Sequence, residues 1–141
     1  MESLRVSRGI EIEVNDNGET IVVDIDNLNF AKSLTDTLNV LKGFEAEVNK
    51  VEFKEEKTEE DKVDNMIVGL NKTVELMERF TQTFDGTFGE GASRKVFGEG
   101  VLPSPFAVMD FYDQFKRIVD KKTSEREKWL NDRYKPRKGG R

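Results

Sequence analysis

The chain has 141 residues, of which 35% are hydrophobic and 36% charged, and it carries a formal net charge of −5 with no cysteine and no histidine. The lack of both residue types excludes disulfides, thiol nucleophiles and the usual zinc sites. A chain of this length suits one domain with a modest core, and we expect a single α-rich domain over residues 1–134.

Charge is distributed unevenly along the chain. Residues 116–141 carry 11 basic and 4 acidic side chains, a net +7, whereas residues 1–114 carry 12 basic and 24 acidic ones, a net −12. A basic end on an acidic body can bind nucleic acid, or it can bind the acidic face of a neighbouring copy. No apolar run approaches the roughly 20 residues that span a bilayer, so we expect a cytoplasmic protein without a membrane partner.

The N-terminal region has the pattern of a β-hairpin over residues 10–25. Residues 10–14 (IEIEV) alternate in polarity, and in residues 20–25 (TIVVDI) every second side chain, Ile21, Val23 and Ile25, is apolar. Between them, Asn17-Gly18 predicts a type I′ turn, in which both residues have positive φ. Because a lone hairpin is marginal in water, its apolar face should lie against helices or extend a sheet with another chain.

Two long amphipathic helices are predicted next. Asp26 or Asn27 offers an N-cap for a helix over about residues 28–55. A second helix should begin at Thr58, which forms a variant capping box with Asp61. The simplest arrangement is an antiparallel helical hairpin, and one uninterrupted helix in an intermolecular coiled coil is the alternative. The stripes that would pair are Phe30, Leu34, Leu38, Leu41, Phe44, Val48 and Val51 in the first helix, and Val63, Ile67, Leu70, Val74, Met77 and Phe84 in the second.

A glycine-rich window, residues 84–105, contains Phe-Gly-Glu-Gly twice. A phosphate-binding P-loop would need a Gly-Lys pair after a buried strand, and this window has neither. We therefore expect a structural connector, in which Gly86 and Gly89 end one helix and Gly98 and Gly100 end a short helix over residues 92–97.

The C-terminal region begins with a strong helix start, because Ser104 can cap a helix that has Pro105 at its first position. The helix that follows is dense in aromatic residues and should serve both as core and as contact surface. Thr123-Ser124-Glu125 predicts the cap of a last short helix, and residues 135–141 should form a flexible basic tail. The predicted fold class is thus mainly α, with an N-terminal β-hairpin, a long helical hairpin and two or three further helices.

No catalytic, metal-binding or cofactor-binding residue is predicted. Residues 24–29 resemble a calcium loop only faintly, since they lack its glycine and its final glutamate. The hairpin, the two long stripes and the aromatic helix all have apolar faces, and any face that one chain cannot cover would be a surface for a partner or for self-association. The candidate residues for that surface are Phe106, Met109, Phe111, Tyr112, Phe115 and Trp129.

The order of these features resembles that of the small tail assembly chaperones of tailed bacteriophages and prophages, of the type found in siphophages of Gram-positive hosts. The matching positions are Phe88 to Gly91, Lys95 to Gly98 and Met109 to Phe115. The resemblance implies a non-catalytic, helical homo-oligomer without a cofactor. It would coat the tape measure protein during tail-tube assembly, with the tail tube protein as a further partner. The alternative function is that of a small regulator that binds nucleic acid through its basic C-terminal segment.

Overall fold

The computed structural model describes residues 1–6 and 9–134, so the predicted basic tail, residues 135–141, lies outside the described residues. The described residues fall into two units, one ending at Ser104 and the other beginning at Pro105. The prediction of a single domain over residues 1–134 stays a prediction. Within the described ranges the chain forms β1 (Ile10–Glu13), β2 (Thr20–Val23), α1 (Leu28–Lys42), α2 (Phe44–Asn49), α3 (Glu59–Phe88), α4 (Ala92–Phe97) and α5 (Pro105–Tyr134). The predicted fold class, mainly α with an N-terminal hairpin, is confirmed.

The hairpin is antiparallel, with Ile10 opposite Val23 and Ile12 opposite Ile21. Its turn differs from the predicted type I′ turn, because only Gly18 has positive φ, at 77°. The Asn15 side chain accepts hydrogen bonds from the backbone N–H groups of Asn17 (2.9 Å) and Glu19 (3.3 Å). This Asx arrangement holds Asn17 at negative φ and leaves a four-residue loop, residues 15–18, with glycine in the left-handed position.

The apolar face of the hairpin is covered from within the first unit. Ile21 and Val23 are buried, and β2 lies against α3. The turn is also bound to α4, since the Asn15 Nδ2 group donates to the Lys95 carbonyl oxygen at 3.1 Å. Of the two arrangements expected for this face, packing against helices is the one found within the described residues.

The predicted helix over residues 28–55 is wrong in its extent. It begins as expected, because the Asn27 side chain caps α1 by accepting from the Asn29 N–H, but it breaks at Gly43 and ends at Asn49. The following segment is held instead by Asn65, whose side-chain amide bonds both backbone groups of Lys54, at 3.0 and 2.8 Å. These bonds offer the Lys54 backbone an alternative to helical hydrogen bonds.

The contact between α1 and α3 is antiparallel. Phe30 of α1 lies against Phe88 of α3, with ring centroids 5.6 Å apart. Further along α1, the Thr37 hydroxyl lies 3.2 Å from the Thr83 carbonyl oxygen. The predicted antiparallel pairing is therefore found, with α1 against the C-terminal half of α3 and α2 near the middle of α3, where Glu47 pairs with Lys72 at 3.4 Å.

A chain of aromatic rings forms the core at that end of α3. The Phe84 ring lies 5.7, 4.7 and 5.5 Å from the rings of Phe80, Phe88 and Phe97, respectively. Since Phe97 belongs to α4, these contacts join the short helix to the long one. Leu76, Met77 and Ala92 are buried in the same unit.

The glycine-rich window is a connector, as predicted. α3 ends at Phe88 with Gly89 as its C-cap, and α4 follows, with Gly91 as its N-cap and Gly98 as its C-cap. All three have positive φ, which a residue with a side chain rarely adopts. Gly86, expected at the end of the helix, lies inside α3 instead.

α5 begins at Pro105, as predicted, but runs unbroken to Tyr134. The prediction of a separate last helix capped at Thr123-Ser124-Glu125 is wrong. Serine and threonine are tolerated inside helices, and no glycine or proline interrupts residues 106–134. An ion pair between Lys122 and Glu125 (3.5 Å) spans the expected break and supports the continuous helix.

Candidate interaction surface

One face of α3 is buried along half of the helix and exposed along the other half. Apolar side chains recur every seven residues, at Val63, Leu70, Met77 and Phe84, and a spacing of two turns keeps them on one face. Met77 and Phe84 are each 1% exposed, whereas Val63 is 51% and Leu70 is 60% exposed. The first two turns of this seam therefore have no covering layer within the described residues.

Met66 and Ile67 fill the interval between Val63 and Leu70 and are exposed as well. We refer to Val63, Met66, Ile67 and Leu70 as the α3 stripe. It is uncovered because the helix that pairs with α3 ends at Asn49, before it reaches this level. The segment after Asn49 lies on another side of α3, where the Phe53 ring approaches Gly69.

The surroundings of the α3 stripe are acidic. Residues 52–64 carry seven acidic and three basic side chains, a net −4. The Asp61 carboxylate accepts from the backbone N–H groups of Lys57 and Thr58, and these bonds, that from Lys57 above all, lower its pKa. Lys54 pairs with Asp64 and Asp61, and the bond to Asp64 raises the pKa of the lysine. The lowered pKa of Asp61 and the raised pKa of Lys54 keep both groups charged at neutral pH. With a net charge of −4 beside it, the stripe is an apolar patch with an acidic rim.

The predicted surface residues all lie on α5 but differ in exposure. Phe106 is 87% exposed and Met109 is half exposed, one turn further along the helix. Phe111 and Tyr112 are half-buried, and Phe115 is only 6% exposed. The rings of Phe111 and Phe115 stack, with centroids 5.7 Å apart. Of the predicted surface residues, Phe106, Met109 and Trp129 are thus the most exposed.

The C-terminal half of α5 is exposed on every side, since residues 120–133 are all exposed. Trp129 is 56% exposed, and the Arg133 guanidinium lies over its ring at 5.2 Å from the centroid. Lys116 pairs with Asp120 at 3.0 Å, one turn before this region. This part of the helix buries no face within the described residues, so its helical conformation is stabilised by local side-chain pairs.

The start of α4 and the groups of acidic side chains are the other candidate sites for a ligand. At the start of α4, the Ser93 N–H donates to the Asp85 carboxylate at 2.8 Å, so an acidic side chain occupies the place that an anion would take. Within the described residues, no group of three or more acidic side chains is arranged to hold a metal ion. Among the described helices, none is both long enough and apolar enough to cross a bilayer.

The α3 stripe was not among the surface residues predicted from sequence. In the simpler of the two predicted arrangements, Val63, Ile67 and Leu70 pack against the first helix of the same chain, and for these three residues that arrangement is wrong. Gly43 is a signal in the sequence for the break in the first helix, because glycine inside a helix weakens it, but α2 continues the contact with α3 beyond this position. The hydrogen bonds from Asn65 to Lys54 could not be predicted from the sequence, because they join residues eleven positions apart.

The architecture is that of a mainly α protein with an N-terminal antiparallel hairpin and exposed apolar helix faces. The chain belongs to the family of unknown function DUF6673, whose model matches residues 17–141. Comparison with curated proteins gives no match, and comparison with solved structures gives none either.

Proposed function

We propose that this protein is a non-catalytic tail assembly chaperone of a tailed bacteriophage or prophage. It would self-associate in the host cytoplasm and coat the tape measure protein during assembly of the tail tube, whose own protein would be a further partner. The observation that supports this proposal is the excess of exposed apolar side chains at helical spacing in a strongly charged chain. Such patches are typical of interaction surfaces rather than of the surface of an isolated monomer.

The client surface in this proposal is the start of α5. Phe106 and Met109 lie three residues apart on the helix and are exposed by 87% and 50%. An extended apolar client could cover both side chains, while the surrounding charges keep the free protein in solution. Because both side chains are exposed, they can be replaced without opening the core.

The test is co-expression with a candidate tape measure protein, chosen from a gene near this one if such a gene is present. We expect the client to become soluble and to elute with several copies of this protein. The double variant Phe106→Ser/Met109→Ser should lose most of that solubilising activity while its helix content, from circular dichroism, stays unchanged. Gln114→Ser, an exposed polar position on the same helix, is the matched control. A client that stays insoluble with the unaltered protein would contradict the proposal.

Binding of nucleic acid through α5 is the second candidate, supported by the exposed Trp129 among basic residues. Intrahelical pairs such as Lys122–Glu125 neutralise part of this region, which weakens the case. Affinity for duplex DNA that falls steeply with salt, with no effect on the client, would favour this second function.

A further inference from the structure

The C-terminal half of α5 repeats the spacing of the α3 stripe. Arg126, Trp129, Leu130 and Arg133 stand at positions i, i+3, i+4 and i+7, as do Val63, Met66, Ile67 and Leu70. In the first set two apolar side chains lie between two arginines, and in the second all four are apolar. Each set lies on one face of its helix, and both sets are exposed.

We propose that the α3 stripe binds the Arg126–Arg133 face of α5 from a second copy of this chain, with the two helices antiparallel. The inference rests on the self-association in the proposed function and is independent of the client. Antiparallel packing sets Trp129 and Leu130 against Met66 and Ile67. The aliphatic stems of the two arginines then cover Val63 and Leu70, while their charged ends reach the rim.

Charge complementarity selects this partner. The segment beside the α3 stripe has a net charge of −4, whereas residues 116–133 carry seven basic and four acidic side chains, a net +3. Two α3 stripes packed on each other would bring two such acidic segments together, which opposes that pairing. The antiparallel direction also sets the acidic first turn of α3, Glu59 to Asp61, beside the basic end of α5.

The proposed contact joins two different surfaces. The pair of copies formed by a single contact therefore keeps one uncovered α3 stripe, on one copy, and one uncovered α5 face, on the other. A contact of this kind continues from copy to copy and gives a ring if the rotation closes or a filament if it does not.

The first test uses the absence of cysteine from the natural chain. One sample carries Met66→Cys and a second, of different mass through a tag, carries Leu130→Cys, and the two are mixed and oxidised without any client. Because neither chain has two cysteines, a disulfide must join two copies. We expect the yield of the mixed disulfide to be about tenfold or more above that of the control pair, Gln82→Cys with Leu130→Cys. An ordered contact raises the effective concentration of one cysteine at the other.

Two outcomes of this mixture would overturn the proposal. A yield equal to that of the control pair would mean that the α3 stripe does not meet α5 of another copy. A predominance of the Met66→Cys homodimer would mean that two α3 stripes pair with each other. Neither result bears on solubilisation of the tape measure protein, so failure here is separate from failure of the proposed function.

The second test reverses charge on each side of the contact. Glu60→Lys alone and Arg133→Glu alone should each weaken self-association about fivefold in sedimentation experiments, and the double variant should recover most of the loss. Glu90→Lys, an exposed reversal between α3 and α4, is the control with the same change in net charge as Glu60→Lys. Single variants that associate like the control, or a double variant weaker than both, would overturn the pairing.

Discussion

Thr37 supplies a buried hydroxyl to the contact between α1 and α3. Its Oγ1 lies 3.0 Å from the Ser33 carbonyl oxygen and 2.9 Å from the Thr87 hydroxyl. A buried polar group is tolerated when it is bonded in this way, and here the bonds also fix how the two helices register.

Thr37→Val should therefore destabilise the fold by about 0.5–1.5 kcal/mol, because the shape is kept and the bonds across the helices are lost. The free energy of unfolding from urea titration measures this. Thr35→Val is the matched control, since its hydroxyl also bonds a carbonyl four residues back, at 3.0 Å, but is exposed. Equal effects at both positions would show that the bonds to α3 contribute nothing.

Gly9 is fixed by a close approach of two backbones. Its φ is +110°, and a Cβ atom there would lie 2.6 Å from the Val23 carbonyl oxygen. Gly9→Ala should cost about 1–3 kcal/mol of unfolding free energy, measured by denaturant titration. Gly69→Ala in α3 is the contrasting variant, because its Cβ would meet the Phe53 ring at an ordinary 3.7 Å. We expect Gly69→Ala to be neutral or slightly stabilising. If Gly9→Ala were as stable as Gly69→Ala, the backbone at Gly9 would not exclude a side chain.

At the scale of elements, Asn65 holds residues 50–57 on α3. Asn65→Ala removes both bonds to the Lys54 backbone, so the Lys54 amide should exchange with solvent about tenfold faster. Hydrogen exchange followed by NMR measures this directly. Asn71→Ala, exposed on the same helix, should leave the Lys54 amide unchanged. An unaltered Lys54 rate in the Asn65 variant would mean that other contacts hold the segment.

Glu19 links the hairpin to α4. Its carboxylate accepts from the Arg94 guanidinium at 3.0 Å and from the Asn15 amide at 3.1 Å, and these bonds, that from Arg94 first, lower its pKa. A carboxyl whose pKa is lower in the folded state stabilises the protein above its ordinary pKa. That stabilisation is lost as the pH falls through the lowered value.

We therefore expect the midpoint of thermal unfolding to fall as the pH drops below about 4.3, the ordinary value for glutamate. Glu19→Gln should be less stable than the natural chain at pH 7, and its stability should change less on acidification. Glu13→Gln, with the same charge change on β1, is the control. If Glu19→Gln kept the full acid dependence, the link to Arg94 would not be its source.

Elements encoded by local signals could be predicted from the sequence, and those set by distant contacts could not. The capping box of Thr58 and Asp61 and the start of α5 at Pro105 each depend on a few adjacent residues, and both lie where they were expected. The end of the first long helix depends on Asn65, eleven residues from Lys54, and was misplaced. The exposed α3 stripe follows from that same misplaced end, which is why none of its residues is among the predicted surface residues.

For the whole molecule, the net charge of −5 conceals an acidic part and a basic part. If copies associate through unlike charges, raising the salt concentration should weaken self-association. We expect the dissociation constant to rise severalfold between about 0.05 and 0.5 M salt, because the Debye length shrinks from roughly 14 to 4 Å. Sedimentation velocity over a dilution series measures this. Association that strengthens with salt would indicate a purely apolar contact.

Because α3 is covered unevenly, its two halves differ in their free energy of local unfolding. Its C-terminal half is locked by the aromatic core, whereas its N-terminal half is held by the capping box and by Asn65. Fraying of the helix would therefore begin at the end that carries the α3 stripe. Binding there must order a part of the chain that opens easily, so partner occupancy and local helix order are thermodynamically linked. A partner that covers the stripe would suppress fraying, and any change that promotes fraying would lower affinity without touching the contact residues.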